Sequence, residues 1–163
     1  MSDELRAAAT AVLEVCRARK LKVATAESCT GGLVAGALTD IAGSSDVVDR
    51  GFVTYSNVAK QQMLGVPHDT IKKYGAVSQQ TVEAMARGAL GKADADLVVA
   101  ITGVAGPGGG SVDKPVGLVH FAAASRSGAL THAELHYGDI GRAQVRYKSV
   151  LQALTMLLAI AKT

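Results

Sequence analysis

A serine, a tyrosine and a lysine stand in two short polar stretches, Glu27-Ser28-Cys29-Thr30-Gly31-Gly32 and Tyr55-Ser56-Asn57-Val58-Ala59-Lys60, each following a run suited to a strand. A hydroxyl between a buried strand and a helix faces that helix's first amides, here those of Thr30, Gly31 and Gly32, which together make an anion or oxyanion site. Ser28 is thus in a nucleophile's position, although the same place suits a capping hydroxyl. No G-x-S-x-G elbow is present, because Ala26 and Thr30 hold its glycine positions. Cys29 is a rival nucleophile, since Glu27, Cys29 and Lys60 are the residue types of a Cys-Glu-Lys hydrolase; the plainer reading is a small buried hydrophobe. Lys60 falls in the first turn of a helix capped by Ser56 or Asn57, where the positive end of the dipole disfavours an ammonium ion. Burial beside an apolar strand would act in the same direction and leave an amine able to take a serine proton near neutral pH. A solvated surface lysine is the alternative. Tyr55 could hydrogen-bond a substrate or the nucleophile, or simply pack half-buried.

A third stretch, Thr102-Gly103-Val104-Ala105-Gly106-Pro107-Gly108-Gly109-Gly110, lets several backbone N–H groups approach a phosphate closely, because glycine has no Cβ in the way. It matches neither G-x-x-x-x-G-K-[ST] nor G-x-G-x-x-G, so no nucleotide fingerprint can be claimed, and a surface loop is the competing reading. Ser111-Val112-Asp113-Lys114 fits S-x-x-K but lies in a glycine-rich stretch rather than at a helix start, and is read as coincidence. Arg142 and Arg146, four apart near the start of the final helix, share a face that would suit a phosphate clamp or solvent equally. The four histidines show no helical metal spacing. His132 and His136 fall on a strand, where they share a face but stand far apart, so no metal site is expected.

These stretches need elements to hold them. Apolar residues at Leu5, Ala8, Ala9, Val12, Leu13 and Cys16 predict a helix over 3–19. Strand 22–26 and helix 33–40 follow, then strand 51–55 and helix 58–64. A short helix ends at Gly75, and Ser78 caps a helix over 79–91 with Val77 and Val82 placed as a staple. The continuous apolar run 97–101 is a strand covered on both faces. Strands 116–124 and 130–137 form a hairpin, and Val150, Leu151, Leu154, Leu157, Leu158 and Ala161 mark a C-terminal helix. Alternating strands and helices predict one α/β domain over 1–163, a three-layer α/β/α sandwich with a mixed, mainly parallel sheet. Ligands then bind beyond the carboxyl ends of the strands, where all three polar stretches fall.

With 163 residues, 48% of them hydrophobic and 19% charged, the chain can bury a core and is not disordered. No apolar run approaches the roughly 20 residues of a membrane span, and the acidic opening Met1-Ser2-Asp3-Glu4 is unlike a secretory signal. A cytoplasmic protein with two reduced thiols, Cys16 and Cys29, is expected. Net charge +3 comes without a basic run, and 4% aromatics with no Trp argue against a nucleic-acid stacking platform.

Thr25-Ala26-Glu27-Ser28-Cys29-Thr30-Gly31-Gly32, Gly51-Phe52-Val53-Thr54-Tyr55-Ser56-Asn57 with Lys60, Gly75-Ala76-Val77-Ser78, and Thr102-Gly103-Val104-Ala105-Gly106-Pro107 occur in this order. With them the chain resembles the CinA C-terminal domain family from about residue 5 to 160. The resemblance implies a three-layer α/β/α fold with a mixed sheet. Stand-alone members look like nicotinamide-nucleotide amidases, so it also implies hydrolysis of nicotinamide mononucleotide to nicotinate mononucleotide and ammonia, in pyridine nucleotide salvage toward NAD. No metal or organic cofactor is implied, and a homo-oligomer is compatible with it. By the same resemblance Ser28 is the nucleophile, Lys60 its general base and Tyr55 their neighbour. Arg142 and Arg146 match a family arginine pair, with extra residues before Arg142 where many members read Gly-Asp-Arg. Amides near Thr30, Gly31 and Gly32 would hold the oxyanion, and Thr102, Gly103, Ala105 and Gly106 with the arginines would bind the nucleotide. Larger relatives carry an N-terminal molybdopterin-binding-like domain that this sequence does not show. The competing class is a catalytically inactive nucleotide-binding or competence- and damage-associated regulatory protein, whose signature would be binding without ammonia release.

Overall fold

The computed structural model describes residues 1–163. Eleven elements follow in order: α1 (Asp3–Arg19), β1 (Val23–Glu27), α2 (Leu33–Thr39), β2 (Val48–Val53), α3 (Asn57–Leu64), α4 (His68–Tyr74), α5 (Gln79–Lys92), β3 (Leu97–Gly103), β4 (Leu118–Ser125), β5 (Leu130–His136) and α6 (Arg142–Ala161), with a 3-10 turn at Ser44–Asp46. The strands form a single sheet in the order β2-β1-β3-β4-β5. β1 is parallel to β2 and to β3, while β4 and β5 add an antiparallel hairpin at one side.

Side chains alternate across a strand, so successive residues serve different layers. Val23, Leu97, Val99, Ile101, Val119 and Phe121 face α1, α2 and α6. Ala24, Ala26, Val98, Ala100, Ala122 and Ala124 face α3, α4 and α5. The second face is built of small residues, which lets α5 lie close and leaves Leu64 and Met85 to fill the layer. No helix is long and apolar enough to cross a membrane.

The strand bounds shift from the sequence reading by up to three residues, β2 the most. The second strand is Val48–Val53 rather than 51–55, because its register against β1 runs from Val23↔Val48 to Glu27↔Val53 and pairing stops where β1 stops. Thr54, whose N–H still donates to the Glu27 carbonyl at 2.8 Å, and Tyr55 therefore fall past the strand, in the loop before α3. The last helix starts at Arg142, where the sequence reading puts the arginine pair near its beginning.

α3 is held against α5 at Gly88, where a Cβ would come 1.8 Å from the Leu64 carbonyl oxygen. Only glycine permits that approach, and α3 carries Lys60. Gly88→Ala is expected to lose roughly 2 kcal/mol of stability, overpacking outweighing the alanine's helix propensity. In a chain of this size that is about 4–8 °C in Tm, readable by calorimetry.

Candidate active site

β1 is followed through α2 to β2 on one side, and the chain then crosses back to add β3 on the other, so the order of strand addition reverses between the parallel strands β1 and β3. The crevice beyond the carboxyl ends of such strands is where open α/β sheets bind ligands. A cleft of about 270 Å³ opens there, and Ser28, Tyr55, Lys60, Thr102, Ala105, Gly106 and Arg142 all line it.

Ser28 continues the β1 alternation onto the α3 side. Its N–H donates to the Ile101 carbonyl at 3.0 Å, which carries the β1–β3 pairing one residue past the strand. Lys60 points inward from α3 and is 1% exposed. Its Nζ is 3.0 Å from Ser28 Oγ and donates at 3.0 Å to the Thr54 carbonyl. No carboxylate pairs with this amine. Burial pushes its pKa down from 10.5, with the neighbouring Cys29 a smaller influence in the opposite direction. Ser56 caps α3 through the Ala59 N–H, which sets Lys60 at the end of the first turn. The cause of the depressed pKa is thus desolvation, where the sequence reading had put the helix dipole first.

Cys29 is buried, and burial pushes its thiol up to about 12. It is a neutral thiol at ordinary pH, a poor nucleophile. Glu27 faces away from the cleft, into the layer of α2, so Glu27, Cys29 and Lys60 do not assemble into a Cys-Glu-Lys site.

The amides near Ser28 are distributed differently from the expectation. Gly31 N–H donates to the Ser28 carbonyl at 3.0 Å and Gly32 N–H to Glu27 Oε1 at 3.2 Å. Gly31 and Gly32 are therefore spent on the turn, and neither lines the cleft. The N–H groups of Cys29 and Thr30 have no partner within the protein. Of the expected oxyanion donors only Thr30 keeps a free amide, and Thr30 is fully buried beneath the cleft rather than lining it; Cys29, which does line it, has a free amide that the sequence reading omits.

The glycine-rich stretch folds over the opposite wall. Thr102 and Gly103 pair with His120 and Val119 of β4, and the Thr102 hydroxyl donates to the Ala76 carbonyl at 2.9 Å. The N–H groups of Ala105, Gly106, Gly108 and Gly109 have no internal partner. Lys114 Nζ donates to the carbonyls of Val77 and Tyr74, tying the loop to the α4–α5 connection. The arginine pair is divided. Arg142 enters the cleft, donating to the Gly106 carbonyl at 2.8 Å and the Tyr55 hydroxyl at 2.7 Å. Arg146 lies behind the turn and donates to the Cys29 carbonyl at 3.1 Å and the Thr30 carbonyl at 3.4 Å. One turn of helix separates them, but the loop after β1 comes between, so they do not form one clamp.

Sequence reasoning missed Thr54, whose carbonyl directs the Lys60 amine; nothing in its type or spacing marks it. His132 is 2.9 Å from His120, whose other ring nitrogen lies 3.6 Å from Glu134, and Glu134 is in turn 2.9 Å from His136. No three His, Cys, Asp or Glu side chains are grouped to hold a metal ion.

Residues 5–161 match the family model of the CinA C-terminal domain. The nicotinamide-nucleotide amidohydrolase PncC of Escherichia coli K12 is 51% identical over 159 residues, covering 96% of this chain and 95% of that protein. A CinA-like protein of Akkermansia muciniphila is 51% identical over 138 residues, 85% of this chain but 33% of its own length, so this chain spans about a third of such longer relatives. The crystal structure of competence/damage inducible protein CihA from Agrobacterium tumefaciens superposes with a TM-score of 0.98 at 53% identity, covering 100% of this chain and 98% of that one. Sequence match and backbone geometry thus agree along the whole length that carries the cleft, and the chain belongs to the CinA C-terminal domain family.

Proposed function

We propose that this chain is an amidase that hydrolyses the carboxamide of nicotinamide mononucleotide to nicotinate mononucleotide and ammonia, through an acyl-enzyme on Ser28. One observation carries the mechanism: a buried amine without a counter-ion, 3.0 Å from a serine hydroxyl. The substrate is supported by the relatives named nicotinamide-nucleotide amidohydrolase that match along nearly their full length. A salvage role toward NAD belongs to the same reading, as does one amidase domain over the whole chain.

The Thr54 carbonyl accepts one Lys60 N–H and so directs the lone pair of the neutral amine toward Ser28 Oγ. Lys60 takes the hydroxyl proton as Oγ attacks the carboxamide carbon. The developing oxyanion meets the free N–H groups of Cys29 and Thr30, the first of which follows the nucleophile directly, as in other serine hydrolases. Protonated Lys60 donates to the departing nitrogen, releasing ammonia and leaving an ester. It then accepts a proton from water as the water attacks the ester, and returns it to Ser28 Oγ as the C–O bond breaks, freeing the acid product, which ionises to the carboxylate, and restoring the neutral amine.

No carboxylate lines the cleft, so the substrate's cationic ring has the exposed face of Tyr55 as its partner. Its phosphate is met by Arg142 and the free amides of Gly108 and Gly109.

Ser28→Ala is expected to lower kcat by at least about 10³-fold in an ammonia-release assay, while Cys29→Ala stays within roughly tenfold of wild type. The opposite result would make the enzyme a thiol hydrolase. Because Lys60 acts unprotonated, kcat/KM should fall as pH drops through its pKa, and the downward shift places that limb below 10.5. Lys60→Met should remove activity at every pH, and Lys60→Arg should not restore it, since a guanidinium stays charged. Arg142→Ala should raise KM for the nucleotide about 10–100-fold and leave that for the riboside without phosphate nearly unchanged.

A further inference from the structure

Glu27 immediately precedes the nucleophile, takes no part in the cleft and is 1% exposed. No lysine or arginine pairs with it. Five donors surround its carboxylate instead. Oε1 accepts from Thr30 Oγ1 at 2.6 Å, Gly32 N–H at 3.2 Å and Val34 N–H at 3.0 Å. Oε2 accepts from Ala35 N–H at 2.9 Å and Thr25 Oγ1 at 3.2 Å. Glycine at the α2 cap position offers no side chain, so the carboxylate reaching back from β1 is what satisfies the first amides of that helix.

A surface Ser or Asp at the cap could satisfy those amides without burying a charge. What the buried carboxylate adds is a hold on both ends of the turn. At one end its own carbonyl accepts from Thr54 N–H at 2.8 Å, and Ser28 N–H is fixed to Ile101. At the other it draws Gly32, Val34 and Ala35 away from the cleft, and in the middle it grips the Thr30 hydroxyl. Cys29 and Thr30 are left on a path where their N–H groups bond nothing inside the protein.

The geometry points to Glu27 as the positioning residue of the oxyanion site: its carboxylate sets the turn so that the Cys29 and Thr30 amides converge beside Ser28. This rests on the amidase reading above. Glu27 touches no reacting atom. Its removal should therefore weaken stabilisation of the tetrahedral state without weakening binding of the planar amide.

The test is Glu27→Gln, which keeps the shape and turns one acceptor into a donor facing other donors. Folding is monitored by circular dichroism and melting. Affinity for nicotinamide mononucleotide is measured in a Ser28→Ala background and should change less than about threefold, while kcat drops about 10²-fold at unchanged KM, the size seen on losing one oxyanion donor. The second readout is pyridine-3-boronic acid. Ser28 Oγ adds to its boron, the proton passes to Lys60, and the tetrahedral anion places a boron-bound oxygen where the oxyanion would be. Its affinity should fall in parallel with kcat. Should Glu27→Gln fail to fold, Thr30→Val cuts the central tie with an isosteric side chain and should lower kcat and boronate affinity together by about tenfold, with Thr30→Ser restoring both. Unchanged kcat, or lost kcat with unchanged boronate affinity, overturns the assignment. If the wild type releases no ammonia, the amidase reading fails, and boronate affinity in wild type against variant still decides the role of Glu27.

Discussion

The site depends on the removal of one lysine amine from water. Lys60 is enclosed between α3 and the end of β1 with a hydroxyl and a carbonyl as its hydrogen-bonding partners and no anion. An ammonium ion there would lose its hydration without compensation, so the neutral form is favoured. The folded chain is built around that cost. Because the unfolded chain holds the proton more tightly, stability rises with pH between the depressed folded value and 10.5. An amine that kept its proton would destabilise the fold; one that has lost it can take a proton from a serine.

Strand alternation gives two adjacent residues separate tasks. Glu27 and Ser28 are consecutive, yet one turns toward α2 and the other toward α3. The acid and the amine, which would otherwise neutralise each other as an ion pair, are kept on opposite faces of β1. The carboxylate is satisfied by amides and hydroxyls, and the amine stays unpaired. Arg146 supports this division from behind: it binds the carbonyls of Cys29 and Thr30, and the first contact turns the N–H of the same peptide, that of Thr30, away from the guanidinium. Arg142, one turn earlier, joins the glycine-rich loop to Tyr55 across the cleft mouth.

Much of this was written in local pattern. The helical spacing in α1, the apolar run of β3, the Ser56 and Ser78 caps and the alternation of strands and helices each arise from contacts within a few residues, and each appears at or within a few residues of its expected place. The end of β2 was not local: it is set by the length of the neighbouring strand. Ser28, Tyr55 and Lys60 were legible as candidates because each follows a strand, and strand ends converge on one side of a parallel sheet.

Sequence alone determined the fold class, the family and the types of residue available for chemistry, because periodicity, caps and ordered motifs are properties of a chain read along its length. Tertiary structure decided which groups are free to act. Whether Lys60 is dry, whether Gly32 N–H is spent on Glu27, and whether Arg142 and Arg146 share a cleft all depend on neighbours distant in the chain. Desolvation and hydrogen-bond satisfaction are set by what surrounds an atom in space, and no spacing along a sequence encodes them.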